Sequence, residues 1–339
     1  MTSNTAAWIN ASKARPLEVG SAPLVEPGEN QILVKNHALA INPIDYKLQA
    51  FAVYPVEYPA ILGQDVAGEV VSVGSGVTRF KPGDRVIGTA AGFATKKESE
   101  KAFQQYTVLE TNLASRIPDN ISFEKAVVLP LGITTAAAGL FNPDFLNLQV
   151  PRIDSEARPG QVVLVWGGAS SVGSAAIQLA AAAGYEVVTT ASSKNFERIK
   201  RLGAKEIFDY KSASVVEDLL EAIRGKSLAG IFDAVGGAAW APCVEIAKRS
   251  EGNKLVATAV ARFPEPPEGI IMKQVFSLSI LRNNVGKAVW EEFLPKALEA
   301  GSFVPFPEPV VAGNGLESVQ AGIDLLGRGI SAQKVVVKL

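Results

Sequence analysis

Short apolar stretches that alternate with polar residues, cut by proline-glycine turns, fill the chain up to about residue 120. They read "PLEVGSAPLVEPGENQILVKNHALAIN", "DVAGEVVSVGSGVTRFKPGDRVIGT" and "QQYTVLETNLASRIP", the period-two signature of half-buried strands. "EPGEN" and "KPGDR" put proline directly before glycine, where a type II turn needs a positive φ. A β-rich first domain is expected.

At residue 122 the period lengthens. In "SFEKAVVLPLGITTAAAGLF", Ser122 stands as the N-cap, Glu124 and Lys125 fall in the first turn, and apolar residues follow at helical spacing. "NPDFLNLQVPRIDSEARPG", residues 142–160, is a polar, proline-bearing excursion. Beyond it strands and helices alternate: "QVVLVWG", a helix over 171–184, "EVVTTAS", a helix over 194–203, "EIFDY", a helix over 213–224, "LAGIFDAVG", a helix over 238–249, and "NKLVATAV". Parallel neighbours need a crossover, so this alternation predicts an α/β fold, a doubly wound parallel sheet with helices on both faces. The tail, from "WEEFLPKALEAGSFVPFPEPVV" to "SAQKVVVKL", predicts two helices and two strands that add to the β-rich domain or line the cleft. At 339 residues the chain exceeds the usual limit of one core. The expected division is 1–121 with 305–339, and 122–304.

Composition narrows the function classes. The 33 basic and 34 acidic residues leave a formal net charge of −1, so no field over the surface attracts nucleic acid or anionic lipid. The sequence offers no apolar run of about 18 residues and no basic patch ahead of an apolar stretch at its start. A cytoplasmic protein with no membrane and no nucleic acid among its partners is expected. Cys243 is the only cysteine and His37 the only histidine, which excludes an intrachain disulfide, a thiolate cluster for metal and a set of spare triad members. His37, inside the alternating "ILVKNHALAIN", reads as structural.

"VVLVWGGASSVGSAAIQLA", residues 162–180, breaks from strand to helix across glycines. Such a turn exposes backbone N–H groups and the positive end of a helix dipole, which suits a phosphate. The glycines at 167, 168 and 173 depart from the G-x-G-x-x-G spacing. Gly167 and Gly168 make the turn, Ser170 and Ser171 add hydroxyls, and Gly173 brings helix and strand together, with Ala169 and Val172 between them. An NAD site ends its next strand in Asp or Glu, which binds the ribose 2′-hydroxyl. Here that end reads "TTASSKNF": Ser192, Ser193, Lys194 and Asn195 offer donors and a cation to a 2′-phosphate, and Tyr210 closes the following strand beside them. NADPH is the expected cofactor.

"INPIDYK" (41–47), "ILGQDVAGEVVSVGSGVTRFKPGDRVIG" (61–88), the glycine turn and "FDAVGG" (232–237) carry a resemblance nearly end to end. The chain resembles the medium-chain dehydrogenase/reductase superfamily, in its zinc-free, quinone-oxidoreductase-like branch. "TTASSKNFERIKRLGAKEIFDYKS" and the 142–160 excursion are similar to fungal toxin-biosynthesis-type and lovastatin-type trans-acting enoyl reductases. The resemblance implies a GroES-like catalytic domain, completed by the C-terminal strands, and a Rossmann domain with NADPH in the cleft between them. Where the zinc alcohol dehydrogenases carry cysteine, histidine and glutamate, this chain has Asn42, Gln64 and Asp65, so no metal is expected. The resemblance also implies that Lys47 and Thr135 face the nicotinamide ribose and substrate, with Ile44 and Asp45 on the cofactor side.

Without a Lewis acid, the fitting substrates are conjugated acceptors, whose charge after hydride addition moves onto an oxygen that needs only hydrogen bonds. Donor candidates are Asp45, Tyr46, Lys47, Thr134 and Thr135. Lys47 stands first, with Tyr46 and Thr135 beside it as catalytic candidates. Asp45 reads equally well as a helix cap, and Tyr46 as cleft wall. Ala257 and Thr258 in "VATAV" close a parallel strand beside the nicotinamide, and Lys334 in "SAQKVVV" returns near it. In "RFPEPPEGIIMKQVFSLSILRNN", residues 262–284, Phe263, Met272 and Phe276 are candidates for an apolar substrate wall, and an oligomer interface formed by the next strand, at the sheet edge, fits at least as well. The chain is thus expected to be a monomer or homodimer acting on a small-molecule conjugated acceptor as an enoyl or enone reductase of secondary metabolism, with a polyketide synthase as candidate partner. A quinone reductase is the rival in the same class, and a non-catalytic NADPH-binding regulatory or structural protein the rival from another.

Overall fold

The computed structural model describes residues 3–339. Eight strands come first: β1 (Asn4–Ile9), β2 (Glu18–Ala22), β3 (Gln31–Ala40), β4 (Ala60–Ile61), β5 (Asp65–Val73), β6 (Arg85–Thr89), β7 (Tyr106–Glu110) and β8 (Ala114–Arg116). Then follow β9 (Gln161–Trp166), β10 (Glu186–Ala191), β11 (Glu206–Asp209), β12 (Ser227–Asp233), β13 (Leu255–Thr258) and β14 (Ile271–Gln274). Last come β15 (Glu308–Asn314) and β16 (Gln333–Lys338). The chain forms two compact units, one up to Leu131 together with Glu308–Leu339, the other Gly132–Pro307.

In the first unit β15-β16-β3-β5-β6-β8 form one sheet, with β7 also on β3, and β2-β1-β4 form a small second sheet. β16 runs antiparallel to β3, with Val336 opposite Ala40, so the C-terminal strand joins the β-rich unit. Ile32, Val34, Leu39, Ile41, Val66, Phe103, Val335 and Val337 fill its core, each contributing about 1.5–3 kcal/mol by leaving water. The helix Phe123–Ala126, capped by the Ser122 side chain, packs on β3, β5, β15 and β16. That packing keeps residues 122–131 with the first unit.

The second unit carries a parallel sheet in the order β11-β10-β9-β12-β13-β14. The order reverses at β9, which places the switch point, where such sheets bind ligands, at the carboxyl ends of β9 and β12. The helices Ser171–Ala182, Phe196–Lys200, Val215–Ala222 and Trp240–Arg249 connect the strands, and Leu164, Val188, Leu219, Ile231, Ile246 and Val256 form core between sheet and helices. β14 is a sixth strand that the alternation of the sequence did not reveal. The segment Phe123–Phe141 is long and apolar enough to cross a membrane, yet 78% of its most apolar window is buried inside the protein. It is therefore read as core.

Candidate active site

In the second unit the chain leaves β9 at Gly167, whose φ of +86° L side chains rarely adopt. The neighbouring strand pins the turn: Gly167 N donates to Thr190 Oγ1 at 3.1 Å and Gly168 N to the Thr190 carbonyl at 2.8 Å. At Gly173 a Cβ would stand 2.2 Å from the Gly167 carbonyl oxygen, so only glycine allows the helix to start this close to the strand. The amides of Ser171 and Val172 lie in the first turn of that helix, where the helix itself supplies no acceptor. A cradle that a Cβ would fill, with open amides at a helix start, fits a phosphate.

The hydroxyl of Ser170 does not serve that phosphate. It donates to the Gly167 carbonyl at 2.9 Å and accepts from Gly173 N at 3.0 Å, so it is spent as the N-cap. Ser171, half-buried, is the hydroxyl left at the turn, flanked by partly exposed Ala169 and Val172.

At the carboxyl end of β10 the chain enters a tight turn, Ser193–Asn195. Ser192 Oγ donates to the Tyr210 hydroxyl at 3.4 Å, Ser193 and Lys194 are exposed, and Asn195 is buried with its amide on the Ser192 carbonyl at 2.9 Å. The structure thus brings Ser192, Ser193, Lys194 and Tyr210 to one rim. Lys211, which the sequence reading passed over, adds a second ammonium 5.9 Å from the centre of the Tyr210 ring. Its signal was present in "DYKS".

Other candidates are occupied differently. Thr258 Oγ1 donates to Asp233 Oδ2 at 2.9 Å, while Asp233 Oδ1 accepts from the amides of Val235 and Gly236. The Thr258 hydroxyl therefore ties β13 to β12 and is not open to a cofactor; Ala257 beside it is buried. Thr134 and Thr135, on the helix Pro130–Phe141, are buried. Met272 packs against the core of the second unit, Phe263 is half-buried in the loop before β14, and Phe276 is 47% exposed.

In the first unit the helix Pro43–Phe51 begins at Asn42. Asp45 Oδ2 accepts from Asn42 N at 2.8 Å, and the residue is 1% exposed. Its side chain is a cap turned into the protein, which corrects the expectation of cofactor contact. Burial above all, with the charge of Asp65 adding to it, raises its carboxyl from the ordinary 3.8 to about 7. Ile44 and Tyr46 pack on the core of this unit, the Tyr46 ring also lying edge-on to Phe51 at 5.7 Å, whereas Lys47 is exposed.

Behind this helix lies a buried polar network. Lys334 Nζ donates to Asn42 Oδ1 and pairs with Asp65 Oδ2 at 2.9 Å. Asn42 Nδ2 donates to the same Asp65 oxygen at 2.8 Å, and Asp65 Oδ1 accepts from Leu131 N at 2.6 Å. Lys334, expected at the cofactor, is 4% exposed in its side chain and turned inward, because a buried ammonium must be paired.

Comparison with known proteins places this chain. Family models of the alcohol dehydrogenase GroES-like domain and the zinc-binding dehydrogenase match residues 28–119 and 171–299. The zinc-binding alcohol dehydrogenase domain-containing protein cipB of Emericella nidulans is 53% identical over 99% of this chain and 98% of its own length. The chain belongs to the medium-chain dehydrogenase/reductase superfamily. Members of this superfamily are oxidoreductases that typically bind a nicotinamide cofactor. The trans-enoyl reductase himH of Aspergillus japonicus is 39% identical over 99% of this chain and 97% of its own length. A solved quinone oxidoreductase from Pseudomonas syringae pv. Tomato has the same fold, with a TM-score of 0.72 and 25% identity over 99% of this chain and 100% of that one.

Proposed function

We propose that this protein is an NADPH-dependent, zinc-independent reductase of conjugated C=C bonds. The observation that carries the cofactor choice is the rim at the end of β10, where Ser192, Ser193, Lys194 and Tyr210 stand in place of a carboxylate that would repel a 2′-phosphate. The cradle at Gly167–Gly173 would hold the pyrophosphate. Bound there, NADPH supplies a hydride.

Zinc independence is supported by Lys334, whose ammonium already rests on Asn42 and Asp65, two of the three positions where the zinc enzymes carry their cysteine, histidine and glutamate. Activation of the acceptor then rests on hydrogen bonds. When the β-carbon of an enone or enoyl thioester gains hydride, negative charge settles on the carbonyl oxygen, and a donor there lowers the barrier. Lys47, with its ammonium exposed on the helix Pro43–Phe51, is our candidate for that donor and for delivery of the proton to the α-carbon. The likeness to a trans-enoyl reductase supports this acceptor class, and delivery of the acyl chain by a polyketide synthase is consistent with it.

The test is loss of NADPH absorbance with a trans-2-enoyl thioester, run beside NADH and a quinone. Turnover with the thioester, preference for NADPH and a drop of about a hundredfold in kcat for Lys47→Ala are expected, the loss typical of a removed general acid. No turnover across enones, enoyl thioesters and quinones would refute the reading. Faster turnover of the quinone would favour a quinone reductase, the reading to which the Pseudomonas structure lends support.

A further inference from the structure

We propose that Asp65 is a positioning residue of the first unit, one carboxylate that sets two segments, each the start of a helix, through its two oxygens. The inference rests on the reductase reading for what those segments do, though not for how they are held.

Asp65 opens β5 and is fully buried. Its Oδ1 accepts the amide of Leu131, in the first turn of the helix Pro130–Phe141. Its Oδ2 accepts Asn42 Nδ2, and Asn42 is the N-cap of the helix that carries Tyr46 and Lys47. Lys334 bridges Oδ2 to the other atom of the same amide, Asn42 Oδ1, and so fixes which way that amide is turned. The two helix starts are therefore set by the two oxygens of one group, and Lys334 pairs with that group where water is shut out.

An amide at position 65 cannot do both tasks. It has one acceptor oxygen where the carboxylate has two, and its N–H₂ would face a donor. While Lys334 holds the Asn42 amide in place, one helix start then loses its anchor; with Lys334 gone that amide can turn and accept from the new N–H₂, so both anchors are removed together with the charges only by a side chain without polar atoms, as in Asp65→Leu.

The experiment uses Asp65→Asn, Asp65→Glu, Lys334→Met and the double variant Asp65→Leu/Lys334→Met in the full chain. Four readouts are taken: melting temperature, amide hydrogen exchange over residues 42–47 and 131–136, the Kd for NADPH, and kcat and KM with an enone. The single neutral variants leave one buried charge unpaired and should melt lower; the double variant should recover most of that loss, because replacing both members of a buried pair is often neutral.

The expected result is that the double variant, though it melts above either single neutral variant, exchanges about tenfold faster over at least one of the two segments. Its kcat should fall about tenfold, with KM and the NADPH Kd changed less than about threefold. Asp65→Glu, which keeps both oxygens and the charge, should retain more kcat than Asp65→Asn. A double variant with wild-type exchange over both segments, or with wild-type kcat, overturns the proposal and leaves Asp65 as packing. A wild-type protein that binds NADPH and reduces no acceptor refutes the reductase reading instead, and the exchange comparison still decides whether Asp65 holds the two segments.

Discussion

Substituting Gly173 by alanine tests the pyrophosphate cradle at its tightest contact. The new Cβ would lie 2.2 Å from the Gly167 carbonyl oxygen, 2.8 Å from its carbonyl carbon and 3.0 Å from Gly168 Cα. All three neighbours are backbone, so no side chain can swing away. Ordinary non-bonded carbon contacts lie at about 3.5–4.0 Å, which requires turn and helix to part by roughly 1 Å. The free protein relieves the clash by opening the turn, and the turn must close again to bring its amides onto a pyrophosphate. Overpacking of this kind costs about 1–3 kcal/mol, which predicts a rise in the NADPH Kd of about 5- to 150-fold. Fluorescence titration with NADPH measures it. Gly20→Ala serves as control, since a Cβ there meets only Trp8 Cδ1, at 3.8 Å. If Gly173→Ala binds NADPH like the wild type and melts at the same temperature, the turn is not the pyrophosphate site.

Lys194→Ala should raise the Kd for NADPH about tenfold, the scale of one charge-assisted hydrogen bond, and leave the Kd for NADH unchanged; an equal effect on both cofactors would remove Lys194 from the 2′-phosphate. Ser170→Ala, which removes a cap joined to both Gly167 and Gly173, should lower stability by about 1 kcal/mol in urea unfolding, and no change would mean that the cap is dispensable. Asp45 makes stability depend on pH. Its folded pKa is raised from 3.8 to about 7, so the folded state holds the proton more tightly, and the stability this gives is full below about pH 4 and lost as pH rises to about 7. Relative to Asp45→Asn, the wild type should lose roughly 3 kcal/mol between pH 5 and 8, and parallel profiles for the two proteins would refute the assignment.

The fold was legible wherever a segment carries its own periodicity. β9 to β13 show it in the regular succession of apolar runs, mostly buried on both faces, with helices at helical spacing between them. β14 does not. Its four residues include Ile271, 52% exposed, and it lies between a proline-rich loop and a short helical turn, so an edge strand with little to bury leaves no period to read. The glycine turn was legible because it is local, yet the part played by Ser170 was not. A hydroxyl three residues before Gly173 fits a phosphate donor and an N-cap alike, and the cap wins because its backbone partners are already in place.

The network around Asp65 shows what no local reading reaches. Its members are separated by 23, 66 and 292 residues in the chain, and no window of sequence contains two of them. One signal was nonetheless in view. Lys334 stands in "QKVVVK", and its strand is buried from Lys334 through Val337, on both faces. A strand enclosed in this way has no route by which a lysine at its start reaches water, so the ammonium has to meet a carboxylate inside the protein. Asp65 opens a strand of the same kind, in "DVAGEVVSV", whose first four residues are buried as well. Two opposite charges, each in the enclosed part of its strand, require one another. Reading that requirement from the sequence would have turned Lys334 from the cofactor to Asp65, and joined two residues that had each been considered alone.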